Sequence, residues 1–342
     1  MNKTATKVLA LCAAAMMTLT ACTGNAPATE EEKPSDAAST ETKDEATDKK
    51  DEDKTADAAD VTGKHEITDL VLPKLAQNEL TTFNILHSET NEDFEILFNL
   101  VEGLLEKDSL DKRHPCVATE WGTEDGGLNW TFKLRNDVKW VDMNGNVKAD
   151  CVADDFLTAL EWTLNFHKND SIGTSMPCQM IKGAQEYYDY TKGLSKEEAY
   201  ALTAGEGSKF REMVAVEAPD AYTLHYTCTA EKPYFDSLMS YTTGMPMSQA
   251  MIDELGGVDG VRAMNNENMW YNSCYTMTSY LQGNEKVLTK NPEYWDKDCF
   301  LFDTVTIRMV ESNDVAYQLY QSGEIDSASL TESNLNTIYN DE

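Results

Sequence analysis

The sequence is poor in positive charge. Its 28 lysine and arginine residues are outnumbered by 60 aspartate and glutamate residues, which gives a formal net charge of -32 over 342 residues. Nucleic-acid binding depends on clustered lysine and arginine side chains that displace counterions from phosphates. The composition therefore argues against a nucleic-acid partner, and the acidic excess favours solubility.

Catalytic and metal-binding patterns are missing as well. The sequence contains no G-x-S-x-G turn, no H-E-x-x-H pattern and no G-x-x-x-x-G-K phosphate loop. Its histidines are scattered singly, so no pair at ligand spacing indicates a metal site. We therefore predict no enzyme activity, no cofactor and no bound metal. The five histidines are His65, His87, His114, His167 and His225.

No apolar run near the start of the chain is long enough to cross a bilayer as a helix. Such a helix needs about 20 apolar residues, and the apolar stretch covers only residues 8–19. Lys3 and Lys7 precede this stretch and small residues follow it, which is the pattern of a secretory signal peptide. We predict that residues 1–21 are a signal peptide.

The sequence LTAC at residues 19–22 resembles the lipobox of bacterial lipoproteins, in which the cysteine sulfur carries a diacylglyceryl group. The resemblance implies a lipid anchor on Cys22 that holds the chain on the extracytoplasmic side of the cell membrane. Acyl chains stabilise such attachment by about 0.8 kcal/mol for each buried CH₂ group. The alternative is an ordinary signal peptide followed by an unmodified cysteine.

Residues 22–64 lack aromatic side chains and have scarcely any branched aliphatic ones. A segment of this composition cannot bury enough apolar surface to fold, and its acidic excess keeps it extended. We predict a disordered acidic tether here. A solvated charged helix is the less favoured alternative, because no apolar stripe runs through the segment.

Six of the eight cysteines lie beyond the predicted signal peptide and the predicted anchor. They are widely spaced and form no C-x-x-C pair, so neither a zinc site nor a redox motif is indicated. Export would permit disulfides, and buried free thiols are an equally good alternative. These cysteines are Cys116, Cys151, Cys178, Cys228, Cys274 and Cys299.

The rest of the chain has apolar residues throughout, enough for a large core. Apolar residues at three- and four-residue intervals predict a helix over residues 94–105, started by Thr90 and Asp93. Alternation from residue 129 and an Asn-Gly turn predict a hairpin over residues 129–147. Interleaved strands and helices indicate an α/β or mixed α+β fold. Further predictions are a strand over residues 67–75, a helix from Asp150, a hairpin over residues 213–228, a short helix over residues 251–255, a strand over residues 305–309 and a helix ending near Gly323.

Six sequence blocks in one order resemble motifs of the family 5 extracellular solute-binding proteins. A seventh block departs from the family, because YNSCY stands at residues 271–275 where the family has G-T-G-P-Y. The six blocks are NLVEGL at residues 99–104, PCVATEW at 115–121, DGGLNWTFKLR at 125–135, KADCV at 148–152, KNPEYW at 290–295 and GEID at 323–326.

The resemblance implies a fold of the periplasmic-binding-protein-like type, class II, family 5. It assigns residues 65–330 to the first lobe with a small inserted subdomain, and residues 331–342 to the start of a second lobe. Most of that second lobe would be missing, because family members usually run well beyond 342 residues.

The resemblance also implies a function in transport. Family members hold an oligopeptide between two lobes and deliver it to the permease subunits of an ABC importer, without catalysis and as monomers. Nickel or another small solute is an alternative ligand within the same family. An alternative of another class is a truncated surface lipoprotein that transports nothing.

Three segments are candidates for the ligand site. The polar run Ser88, Glu89 and Thr90 lies where the first lobe of the family approaches its cleft, and Glu89 suits a ligand ammonium. Aromatic faces and an amide suit peptide contact in the second segment. For each candidate the structural alternative is helix capping, packing or a turn. The second segment supplies Trp270, Tyr271, Asn272 and Tyr275, and the third supplies Tyr241 and Thr242.

Overall fold

The computed structural model of the chain describes residues 68–88, 90–169 and 172–340. The predicted signal peptide at residues 1–21, the tether at residues 22–64, Cys22 and Glu89 lie outside the described residues.

One four-stranded sheet joins the beginning of the described chain to its later part. Its strand order is β1-β12-β11-β10, with β1 parallel to β12 and the other neighbours antiparallel. The parallel register runs from Asp69 opposite Thr304 to Leu75 opposite Val310. The strands are β1 (Asp69–Leu75), β2 (Leu105–Lys107), β3 (Arg113–Pro115), β4 (Ala118–Gly122), β5 (Asn129–Leu134), β6 (Lys139–Val141), β7 (Val147–Asp150), β8 (Val216–Asp220), β9 (Thr223–Thr227), β10 (Tyr275–Leu281), β11 (Glu285–Lys290) and β12 (Thr304–Val310).

A second four-stranded sheet, fully antiparallel, has the order β4-β5-β9-β8. Its inner face carries Trp130, Phe132 and Leu224, all buried, whereas Asn129, Lys133 and His225 point to the exposed face. This alternation is the one that period-2 patterning predicts for a half-buried sheet. Two isolated hairpins, β2-β3 and β6-β7, complete the strand pairing of the described residues.

The helices cover these sheets, and α2 is the most deeply buried of them. Nearly all of its residues from Ala153 to Leu164 are buried, among them the charged Asp155 and Glu161, and the Asp155 carboxylate accepts the Val152 backbone N–H at 3.0 Å. The α-helices are α1 (Asn91–Leu97), α2 (Ala153–Leu164), α3 (Ser175–Met180), α4 (Ala184–Lys192), α5 (Lys196–Tyr200), α6 (Lys209–Met213), α7 (Gln249–Glu254), α8 (Val258–Arg262), α9 (Asn313–Gln321) and α10 (Glu332–Asn340).

Several predicted elements are confirmed, one is wrong, and two helices have different bounds. The helix predicted from Asp150 begins at Ala153, because Asp150 is the last residue of β7. The β8-β9 hairpin, α7, β12 and α9 lie where the sequence pattern puts them. The predicted hairpin over residues 129–147 is wrong, because β5 pairs with β4 and β9 instead. The Asn-Gly turn joins β6 to β7, with Gly145 at a φ of 78°.

The predicted helix over residues 94–105 is confirmed at its start, where Thr90 caps α1, but its predicted end is wrong, because α1 ends at Leu97. Beyond it the backbone bonds to distant segments. The Tyr275 N–H donates to the Asn99 carbonyl at 3.0 Å, and the Leu104 N–H donates to the Gly244 carbonyl at 2.9 Å. Since these tertiary bonds satisfy the backbone, helical periodicity in the sequence is overridden.

The cysteines beyond the predicted anchor all carry free thiols, so the free-thiol alternative is confirmed for these six. Five of them are buried, and only Cys299 is exposed.

A buried ion pair lies between α2 and the loop that follows it. Lys168 Nζ stands 2.7 Å from a Glu161 carboxylate oxygen, and both side chains are almost fully enclosed. The Tyr187 hydroxyl donates to the other oxygen of Glu161 at 2.8 Å. Removing one partner of such a pair leaves the other charge buried and uncompensated.

We therefore expect Lys168→Met to lower the free energy of unfolding by about 3–5 kcal/mol in urea denaturation. The matched control is Lys209→Met, which breaks an exposed pair with Glu212 and should change stability by less than about 0.5 kcal/mol. Equal losses in the two variants would contradict this account.

Candidate functional site

The three candidate ligand segments all adjoin residues 88–104. The first precedes α1, the second bonds to residues 99–102, and the third is followed by Gly244, whose carbonyl accepts the Leu104 N–H. The second and third segments therefore both contact residues 99–104, more than a hundred residues away in the sequence, whereas the first lies before α1.

In the first segment, the side chains start α1. Thr90 is its N-cap and accepts the Asp93 N–H at 3.1 Å. The Ser88 hydroxyl donates to the Asp93 carboxylate at 3.1 Å, and the Thr81 N–H donates to it at 2.8 Å. The structural alternative of helix capping therefore holds for Ser88 and Thr90, and Glu89 lies outside the described residues.

In the second segment, the side chains are buried. The Tyr271 hydroxyl donates to the Asn266 carbonyl at 2.6 Å, and the Tyr275 hydroxyl donates to the Phe302 carbonyl at 3.0 Å. Trp270 is packed in the core, with Lys148 Nζ 5.2 Å from its ring centroid. These aromatic residues pack the interior and present almost no surface to a ligand.

The third segment is the most accessible. Tyr241 is 48% exposed, and its hydroxyl accepts a hydrogen bond from Lys107 Nζ at 2.8 Å. Hydrogen bonds to Tyr241 and Asp111 raise the pKa of Lys107, so this amine stays charged. Thr242 opens a short 3-10 helix beside them. We call Lys107, Tyr241 and Thr242 the Tyr241 surface.

The sequence prediction missed Glu102, which lies in the first of the six family-like blocks. Its two carboxylate oxygens accept the Tyr294 hydroxyl at 2.6 Å and the Trp295 indole N–H at 2.8 Å. The Asn272 amide holds the Glu102 backbone, accepting its N–H at 2.8 Å and donating to its carbonyl at 3.1 Å. We call Glu102, Asn272, Tyr294 and Trp295 the Glu102 junction.

The electrostatics of the Glu102 junction are unusual. Burial raises the pKa of Glu102 to about 7, although the hydrogen bonds from Tyr294 and Trp295 act in the opposite direction. Burial also raises the pKa of the neighbouring Cys116 thiol well above its ordinary value. A lone acid inside an apolar motif was the only feature of the sequence that pointed to this residue.

Next to Glu102 the backbone passes very close to its neighbours. A Cβ atom added at Gly103 would lie 2.7 Å from the Gly244 carbonyl oxygen and 2.8 Å from the Met245 Cε. A side chain at residue 103 would therefore collide with Gly244 and Met245. Through this close approach, the segment that follows Tyr241 packs against the residue next to Glu102.

A comparison with family models identifies the chain. Residues 112–342 match the model described as Bacterial extracellular solute-binding proteins, family 5 Middle. The chain belongs to this family. As a family 5 protein it is a member of a group of binding proteins rather than of enzymes, in agreement with the sequence prediction.

Named relatives of this family 5 chain are peptide-binding proteins. Oligopeptide-binding protein AmiA of Streptococcus pneumoniae is 26% identical over 235 residues, which are 68% of this chain and 32% of AmiA. Dipeptide-binding protein DppE of Bacillus subtilis is 27% identical over 253 residues, which are 74% of this chain and 41% of DppE. The chain spans well under half of the length of both relatives.

A solved structure shows the fold. Listeria monocytogenes OppA bound to peptide is similar with a TM-score of 0.64 and 21% identity, over 80% of this chain and 49% of OppA. The predicted mixed α/β fold of the periplasmic-binding-protein-like type is therefore confirmed for the part that this chain contains.

Among residues 68–88, 90–169 and 172–340, no group of three or more histidine, cysteine, aspartate or glutamate side chains is placed to hold a metal ion. Over the same described part, no helix combines the length and apolar character needed to cross a bilayer.

The tight approach at Gly103 gives a test of the junction. Gly103→Ala should lower the free energy of unfolding by about 1–3 kcal/mol, because the added methyl group collides with the Gly244 backbone. Gly122→Ala, in β4, meets no atom within 4 Å and should stay within about 0.5 kcal/mol of the parent. Chemical denaturation of both variants measures the difference, and equal stability of the two would refute the packing argument.

Proposed function

We propose that this chain binds oligopeptides as the solute-binding component of an ABC importer and delivers them to the permease subunits. The family match over residues 112–342 carries the proposal, and relatives named as oligopeptide-binding and dipeptide-binding proteins support it. The protein binds its cargo without transforming it, so it needs no catalytic group.

In this proposal residues 65–330 form the first lobe with its inserted subdomain, and residues 331–342 begin the second lobe. The peptide lies between the lobes as a monomeric receptor closes about a hinge, a motion driven by ligand contacts that exist only in the closed state. Main-chain hydrogen bonds of the strand-addition type suit a peptide whose side chains vary.

We assign the first contact with the ligand to the Tyr241 surface and to Glu89. Tyr241 combines an exposed ring with a hydroxyl already polarised by Lys107, a combination that suits both peptide side chains and peptide carbonyls. Trp270, Tyr271, Asn272 and Tyr275 make no direct ligand contact in this proposal, because their side chains are buried.

Peptide binding can be measured by thermal shift with a random oligopeptide mixture. Ligand at about 100 times its dissociation constant should add about 2.7 kcal/mol of stability and raise the melting temperature by a few degrees. Cooperative melting without any shift would contradict peptide binding. A shift with Ni²⁺ alone would favour the nickel alternative.

The Tyr241 surface is tested by one pair of variants. Tyr241→Ala should weaken peptide binding about ten-fold in calorimetry, a loss of about 1.4 kcal/mol, because a half-exposed aromatic contact is removed. Tyr234→Ala is the matched control, since Tyr234 is 50% exposed and stands outside the proposed surface. A similar loss of peptide affinity in both variants would contradict the assignment of Tyr241 to the ligand site.

The proposed membrane attachment rests on Cys22. Cys22→Ala should move the chain from the membrane fraction to the soluble extracytoplasmic fraction, because lipidation requires the sulfur. Cys299→Ala, at the exposed cysteine, should leave the distribution unchanged. Membrane retention of Cys22→Ala after its leader has been cleaved, checked by the mass of the mature chain, would show that the chain is not anchored there.

A further inference from the structure

The carboxyl group of Glu102 is enclosed by groups from several separate parts of the chain. Its neighbours include one acid, one base, two thiols and the two hydrogen-bond donors already described. Glu106 on β2 raises the pKa of Glu102, and Arg135 after β5 lowers it. The titratable and charged groups that face Glu102 are Glu106, Cys116, Arg135, Cys151 and Tyr294.

The negative charge of Glu102 is incompletely compensated. Among the described residues, no basic side chain forms an ion pair with it. Arg135 is the basic group that acts on it, but the guanidinium lies on the Trp295 ring, 3.3 Å from its centroid, and donates from Nε to Asp137 at 2.7 Å. A buried carboxylate held only by neutral donors is more costly to ionise than one in water.

We infer that the Glu102 junction is a proton-controlled latch, closed while Glu102 holds a proton and loosened when the carboxyl group ionises. Ionisation favours an arrangement in which water reaches the carboxylate, so residues 99–104 separate from residues 290–295. Because Leu104 and Gly103 contact Gly244 and Met245, this separation also displaces the segment that contains Tyr241.

The direction of the pH dependence follows from the two pKa values. The ordinary value of the group is 4.5, and in the closed junction it is about 7. The closed form therefore binds more protons than the open form between these values, so opening becomes easier as pH rises through this window. Above about pH 7 the equilibrium between the closed and open junction no longer depends on pH, because Glu102 is ionised in both forms.

Cys116 provides a local reporter of opening. Its thiol is buried beside Glu102, so a thiol reagent reaches it only when the junction opens. Cys228 is equally buried but lies at the end of β9, and it reports opening elsewhere. The labelling rate of each cysteine can be followed by brief exposure to a maleimide and peptide mass spectrometry.

The comparison is between the parent chain and Glu102→Gln, which keeps the shape but cannot ionise. At each pH the Cys116 labelling rate of the parent is divided by that of the variant, so the intrinsic pH dependence of thiol reactivity cancels. This ratio should rise roughly ten-fold between about pH 6 and about pH 8. The corresponding ratio for Cys228 should stay constant.

Two results would overturn the latch. One is a Cys116 ratio that does not change with pH, and the other is a parallel rise for Cys116 and Cys228, which indicates global unfolding.

Tyr294→Phe gives an independent check if Glu102→Gln fails to fold. Loss of the hydroxyl removes a bond that favours the ionised form, so the rise in Cys116 labelling should shift to higher pH. An unshifted rise would also count against the latch. None of these readouts requires a peptide ligand, so the latch and the proposed function can fail separately.

Discussion

The backbone of residues 99–104 is the constraint on which the surrounding structure depends. This stretch belongs to no helix or strand; its first N–H groups bond to the end of α1, and its later polar groups bond to distant segments. The Leu100 carbonyl accepts the N–H groups of Asn272 and Ser273 at 3.2 and 3.3 Å, and the Gly103 carbonyl accepts that of Val117 at 3.2 Å. Because buried backbone groups must be paired, the partners are fixed together with the stretch itself.

Local patterns in the sequence predicted the elements whose partners lie nearby. The β8-β9 hairpin follows from alternation around a short turn, and α9 follows from a helical stripe that ends before a glycine. The pattern at residues 94–105 was misleading because its apolar residues are buried by contacts from many directions rather than along one helix face. Likewise, nothing in the β5 sequence reveals that its neighbours are β4 and β9.

The site was less predictable than the fold. Residue type pointed to Trp270, Tyr271 and Tyr275 as ligand contacts, since aromatic residues are suited to recognition and to packing alike. Burial decides between the two roles, and burial depends on the assembled chain. The importance of Glu102 was hidden for the same reason, because its partners follow about 190 residues later.

The parallel pairing of β1 with β12 has a consequence for the order of events during biosynthesis. Asp69 and Thr304, side by side in the sheet, are 235 residues apart in the chain. A polypeptide emerging from the ribosome cannot complete this sheet until β12 has been made, and pairings of such long range form slowly. The sheet β4-β5-β9-β8 lies between these two strands in the sequence, so its strands are all made while β1 still lacks its parallel neighbour.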